Sequence, residues 1–386
     1  MFDCIVVGAG PAGSSTAYHL AKTGCSVLLL EKAALPRYKA CTGAVSPSVA
    51  DWFDFDFSPA IASKVSRVRY TWKLDDAIDA ELETEPIWSV DREVFDQFLV
   101  EQAELAGASV QDQTAVTGVV FEGNHWSVST ISSAERGIEK RIEERLSGRY
   151  LIAADGATGP LASWLGFRKH KLREAGVLNV DTAAPVERGA FSFEFGLAKN
   201  GCLWSFPKLQ GYSLGVSSFV GNSIKSPEQL LRQYASAFEV TADKGRFYTH
   251  PLKLWDGNEP LHTTQALIVG EAAAIVDPLT AEGIRPAMYS AMIAAKAVKA
   301  ALEGNEEAIA NYTQLIHESW GTDMQWAQRI ATVFFRVPKI GYRVGIKRPT
   351  ATKRLGQILA GEVSYADIAN RVIKRISTSL IPGMGS

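Results

Sequence analysis

Gly8, Gly10 and Gly13 stand at the spacing of a phosphate-binding turn, directly after the apolar run Ile5-Val6-Val7. Glu31 closes a second apolar run, Val27-Leu28-Leu29-Leu30. The order strand, glycine turn, helix, strand, acid is the one that holds a dinucleotide. Gly8 permits the turn, Gly10 lets the backbone approach a pyrophosphate, and Gly13 lets helix and strand pack closely. The helix beginning at Pro11-Ala12 offers unpaired N–H groups to the phosphates. Glu31 is expected to accept hydrogen bonds from the adenosine ribose hydroxyls. Two later segments, Leu151-Ile152-Ala153-Ala154-Asp155-Gly156 and Leu267-Ile268-Val269-Gly270-Glu271, are again strands ending at an acid, the second followed by Pro278. Taken singly, each reads as a plain strand and turn.

The elements that must position these residues can be placed from periodicity. The first βαβ unit covers about residues 2–31. Arg92 to Leu105 carries Phe95, Phe98, Leu99 and Leu105 at helical spacing, and Gly107 can end that helix. Val68, Tyr70 and Trp72 alternate with Arg67, Arg69 and Thr71 as a half-buried strand. Phe191, Phe193 and Phe195 alternate in the same way, Asn200-Gly201 suits a hairpin turn, and Gly211 suits another. A long alanine-rich helix runs from Gly283-Ile284 to about Leu302, and the remainder reads as helical.

Bulk composition narrows the classes. The 386 residues can bury a large core, and 46% hydrophobic with 21% charged residues is ordinary for a soluble protein. Forty Lys+Arg against forty-two Asp+Glu leave a net charge of −2, so there is no nucleic-acid footprint. Cys4, Cys25, Cys41 and Cys202 are widely spaced, which argues against a metal cluster or a disulfide framework. The early glycine turn leaves no room for a signal peptide, and no apolar run approaches a membrane span, so a cytoplasmic protein is expected.

The Gly8–Gly13, Asp155-Gly156 and Gly270-Glu271 motifs, in this order, resemble those of the FAD-binding flavoproteins that include para-hydroxybenzoate hydroxylase. Pro11 fits that family, and Glu271 stands where it usually has aspartate. Pro36-Arg37-Tyr38-Lys39-Ala40-Cys41-Thr42-Gly43, Trp204-Ser205-Phe206-Pro207 and Asp277-Pro278-Leu279-Thr280-Ala281-Glu282-Gly283-Ile284 further resemble the geranylgeranyl reductases. That resemblance spans roughly residues 2–300. It implies an enzyme that uses reduced FAD to saturate carbon–carbon double bonds of isoprenoid chains, with NADPH or ferredoxin as electron donor. The cofactor set it implies is Gly8, Gly10, Pro11, Ala12, Gly13, Glu31, Lys32, Arg37, Cys41, Thr42, Gly43, Arg92, Ala115, Asp155, Gly156, Gly270, Glu271, Pro278, Gly283 and Ile284. Thr42, Cys202 and Ala281 depart from the family, which usually has glycine, tyrosine and glycine there.

An isolated alkene is not polarised, so reducing it requires a proton as well as a hydride. A free thiol of ordinary pKa, about 8.5, carries its proton at neutral pH, which makes Cys41 a candidate donor. A small buried hydrophobe beside the cofactor is the plainer reading of the same residue. Trp204 could stabilise a cationic carbon through its ring face. Alternation places Cys202, Trp204 and Phe206 on one strand face, either a wall for a prenyl chain or a sheet packed on the core. The helix starting at Gly283-Ile284 would favour anionic reduced flavin by on the order of 1 kcal/mol.

Between Arg336 and Arg354 lie Lys339, Arg343, Lys347, Arg348 and Lys353 and no acid, with Phe334, Phe335, Ile340 and Tyr342 nearby. Such a stretch suits an anionic membrane surface or a substrate phosphate, or is simply solvated. The expected architecture is α/β (α+β overall): a three-layer Rossmann-like FAD domain (1–60, 89–165, 261–305) interrupted by a β-rich substrate domain (61–88, 166–260). A helical C-terminal region (306–386) follows. A flavin monooxygenase, a flavin halogenase and a non-catalytic prenyl-binding escort are the rival readings.

Overall fold

Apolar runs without polar alternation form strands buried on both faces, and the parallel centre of the larger sheet is made of them. β1 (Phe2–Val7) leads through the glycine turn into α1 (Pro11–Lys22) and returns as β2 (Val27–Leu30). β3 (Arg67–Trp72), α2 (Arg92–Leu105) and β4 (Arg141–Ala153) follow. β5 (Phe191–Phe195), β6 (Gly201–Lys208) and β7 (Gly211–Ser218) form a meander. β8 (Ala266–Ile268) precedes α3 (Ile284–Leu302), and α4 (Thr322–Arg336) and α5 (Pro349–Ala360) belong to the C-terminal helices. The computed structural model describes residues 1–133, 141–182, 189–208, 210–221, 224–238, 240 and 245–370.

Register decides where the chemistry lies. β8, β4, β1 and β2 are neighbours in one eight-stranded sheet and run parallel. Val7 stands opposite both Ala153 and Leu30, and Ala153 opposite Ile268. The residues that follow, Gly8, Glu31, Asp155 and Glu271, therefore emerge along one sheet edge, where open α/β sheets bind ligands. α1 packs against α2 and α3 on one side of this sheet.

A second sheet has seven strands, with β7, β6, β5 and β3 adjacent in that order. Phe195 pairs with Cys202, so residues 196–201 form a longer connection than a tight Asn200-Gly201 hairpin. Asn200 takes a left-handed conformation within it (φ 58°). Lys208 pairs with Gly211, as the turn reading required. Cys202, Trp204 and Phe206 share a core cluster with Phe335 and Tyr342, while Leu203 packs on the opposite face with Leu214 and Tyr234. The C-terminal helices thus complete the core of the second sheet. Tyr342 anchors them by donating its hydroxyl to the Asp76 carbonyl at 2.5 Å. Among the described residues, no helix is long and apolar enough to cross a membrane, and no side-chain cluster could hold a metal ion.

Candidate active site

A cavity of about 510 Å³ opens where the carboxyl ends of β1, β2 and β4 meet the second sheet. Its wall includes Gly8, Gly10, Pro11, Ala12, Glu31, Lys32, Arg37, Cys41, Thr42, Gly43, Arg92, Ala115, Asp155, Gly156, Glu271, Gly283 and Ile284. Gly13, Gly270 and Pro278 lie outside this lining. Gly13 is a packing residue: a Cβ there would fall 1.8 Å from the Gly8 carbonyl oxygen. Gly270 is similarly pressed against Ala12 and Ala287. Gly8 itself needs its positive φ of 104°, and a Cβ on it would sit 2.5 Å from the Ala154 oxygen.

The polar end of the cavity is organised before any ligand enters. Glu31 accepts hydrogen bonds from Ala9 N and Ala33 N, both at 3.0 Å, and pairs with Arg37 at 3.1 Å. Arg37 and Arg92 both reach the buried Asp96 carboxylate, Arg92 through two hydrogen bonds. Arg92 is therefore a half-buried wall residue, and Cys41 is among the groups that act on its charge. Asp155 accepts from Leu161 N at 2.9 Å through one oxygen, while the other is buried without a partner among the described residues. Burial pushes this carboxyl upward in pKa, so a ligand donor would find a ready acceptor there. The glycine cradle, the N-terminus of α1, two cationic side chains and the orphaned oxygen of Asp155 suit FAD.

Three residues on this wall carried no motif role in the sequence reading. His250 Nε2 lies 3.3 Å from Glu271 Oε1, which also accepts from Lys253 N. Burial alone would raise Glu271, but the hydrogen bond and charge of His250, with the charge of Lys39, hold it below its ordinary range. Glu282 is pushed up to about 7 by burial, against the pull of Arg285. Its 3.6 Å separation from Arg285 Nε is too long for a hydrogen bond, and that nitrogen has no partner among the described residues. Lys39 and Glu282 sat inside quoted motifs without a distinguishing pattern. His250 had no sequence signal at all.

Beyond this polar end the cavity turns apolar at Phe193, Trp204 and Phe206. A second cavity, about 430 Å³, lies on the far side, walled by Phe195, Cys202, Ile330, Phe334, Phe335, Ile346 and Leu355 among others. Phe193, Trp204, Thr280 and Leu359 border both spaces. The strand face expected to look at the cofactor is thus divided: Phe206 faces the first cavity, Cys202 the second, and Trp204 stands between them. Trp204 is fixed by donating Nε1–H to Thr42 Oγ1 at 2.9 Å and by lying over Gly215, where a Cβ would come within 2.2 Å of the indole.

Comparison with known proteins agrees with this geometry. The model of a family described as FAD dependent oxidoreductase matches residues 3–89, and that of an FAD binding domain matches residues 58–201. The digeranylgeranylglycerophospholipid reductase of Methanocaldococcus jannaschii is 27% identical over 81% of each chain. The geranylgeranyl diphosphate reductase of Rhodobacter capsulatus is 28% identical over 80% of this chain and 77% of its own. Among solved structures, a geranylgeranyl bacteriochlorophyll reductase-like protein of Thermoplasma acidophilum superposes with a TM-score of 0.72 at 23% identity, covering 94% of this chain and 92% of the other. A flavin-dependent brominase shares the fold at TM-score 0.71 and 17% identity, covering 98% and 99%. The chain thus resembles geranylgeranyl reductases over about four fifths of its length and matches FAD-dependent oxidoreductase and FAD-binding families over its first 201 residues.

Proposed function

We propose that this enzyme saturates C=C bonds in the isoprenoid chain of a lipid, quinone or pigment precursor. The observation that carries the reading is the shared wall: a polar cavity suited to FAD abuts an apolar one, and among the described residues Phe193, Trp204, Thr280 and Leu359 border both. FAD, once bound and reduced by NADPH or ferredoxin, would supply the hydride. The protein's own residues do the rest. The apolar cavity takes the chain and excludes water. Trp204, immobilised by Thr42, presents a ring at the boundary, where positive charge on a tertiary carbon would be stabilised. Cys41, on the wall of the FAD cavity, gives its thiol proton to the other alkene carbon and recovers one from solvent. With FAD bound, Glu31 and Asp155 would hold ribose hydroxyls, Arg37 and Arg92 would balance the pyrophosphate charge, and Glu271 would take the ribityl chain. A lipid substrate also calls for contact with a membrane, which the acid-free stretch 336–354 supports.

The test is anaerobic incubation of the reduced FAD-loaded protein with a geranylgeranyl lipid, followed by mass spectrometry. A gain of two hydrogens per reduced bond is expected. Substrate-dependent oxygen consumption with a hydroxylated product would instead make the enzyme a monooxygenase and sink the proposal. Anaerobic bleaching of the flavin band by NADPH or by reduced ferredoxin identifies the donor.

A further inference from the structure

The apolar cavity needs an entrance. Of its lining, Thr350 is exposed, and Gly345, Ala351, Arg354 and Leu355 around it are half-buried, which places an opening there. The surface beside this opening is unusual. Val333, Val337 and Ile340 are 67%, 45% and 60% exposed and follow one another at helical spacing on the end of α4 and the short helix Pro338–Ile340. Exposed apolar residues scattered singly are ordinary, but three in a row beside a cavity mouth form a patch.

Charge at the same place is one-sided. From Met324 to Gly361 the sequence has no Asp or Glu, in a chain whose net charge is −2. Lys347 and Lys353 pair with Asp76, in the strand Asp75–Glu81, and with Glu83 just after it. Arg336, Lys339, Arg343 and Arg348 are exposed and have no acidic partner among the described residues. Exposed apolar side chains flanked by unpaired cations are the composition of a surface that lies in a lipid headgroup layer. Cations near an anionic leaflet each add to binding, and the apolar residues insert between the headgroups. A soluble acidic partner would account for the cations but not for their position at the entrance of an apolar tunnel.

We propose that the face formed by the end of α4, the turn Gly341–Ile346 and the start of α5 docks on an anionic lipid bilayer, so that the second cavity opens directly into it. The isoprenoid chain then passes from bilayer to cavity without crossing water. The docking rests on the reading of the cavity as a lipid-chain site, but it can fail or stand by itself.

The experiment uses the FAD-loaded protein with vesicles of phosphatidylcholine alone or mixed in equal parts with phosphatidylglycerol. Co-sedimentation is expected with the mixed vesicles only, and should weaken by about fivefold for each charge removed in R336Q, K339Q and R343Q. V337S/I340S should also weaken it while leaving the flavin spectrum unchanged. As a control, the distant pair K64Q/R246Q should sediment like the parent. Equal sedimentation with both vesicle types, none with either, or an unaltered R336Q/K339Q/R343Q variant would overturn docking. Reduction is then compared for substrate in vesicles and in detergent. The triple variant should be slowed in vesicles and match the parent in detergent. If the parent reduces nothing in either form, the proposed reaction fails, while the sedimentation result still decides the docking.

Discussion

Cys41 and Trp204 carry the sharpest claims at the level of single residues. If Cys41 delivers the proton, C41S and C41A should lower alkene reduction by about 10²-fold or more at equal FAD occupancy. Unchanged turnover would leave Cys41 as a mere wall residue. Its neighbour Arg92, which is bonded to Asp96, complicates a simple truncation because its charge faces Cys41; flavin content must therefore be measured on every variant. Glu282 makes a separate prediction. A carboxyl raised from 4.5 to about 7 binds its proton in the folded chain after the unfolded chain has lost it. Stability should therefore fall as pH rises from about 4.5 to about 7, by roughly 3 kcal/mol at most, and then level off. E282Q should flatten that slope in thermal unfolding across the same range; a parallel slope would assign the effect to another group.

Elements explain which residues could be foreseen. G13A should abolish flavin retention and destabilise the fold by several kcal/mol, because its methyl would overlap the Gly8 carbonyl and force β1 and α1 apart. A yellow, stably folded G13A would refute that. Gly8, Glu31, Asp155 and Glu271 were legible because each ends a buried strand, and parallel register brings such ends to one edge. The helix Arg92–Leu105 was legible from apolar spacing and Gly107, and Ile284–Leu302 from its alanine run after Gly283, although Leu105, which shares the first helix's spacing, is 81% exposed at the last turn. The second cavity was not legible beyond Cys202 and Trp204. Ile330, Phe334 and Leu355 sit at spacings that an ordinary core would also use, and only tertiary packing leaves a void between them. Tyr342 looked like part of a basic surface stretch, yet it is buried and holds the helices to the second sheet. Y342F should cost about 1 kcal/mol in chemical denaturation, the worth of one buried hydrogen bond.

At the scale of the whole molecule, one cavity is built mainly from the first 290 residues and the other is closed by the last third of the chain. I330W should obstruct the second cavity alone: KM for a long isoprenoid should rise about tenfold or more while flavin content and spectrum stay as in the parent. Loss of flavin would show that the two spaces are not independent. The partition between them has a consequence for descent. Selection on cofactor retention acts on one side and selection on tail length on the other, so the two sides can diverge at different speeds. Lineages that meet a new prenyl compound need only remodel the distal helices, inheriting the redox half intact.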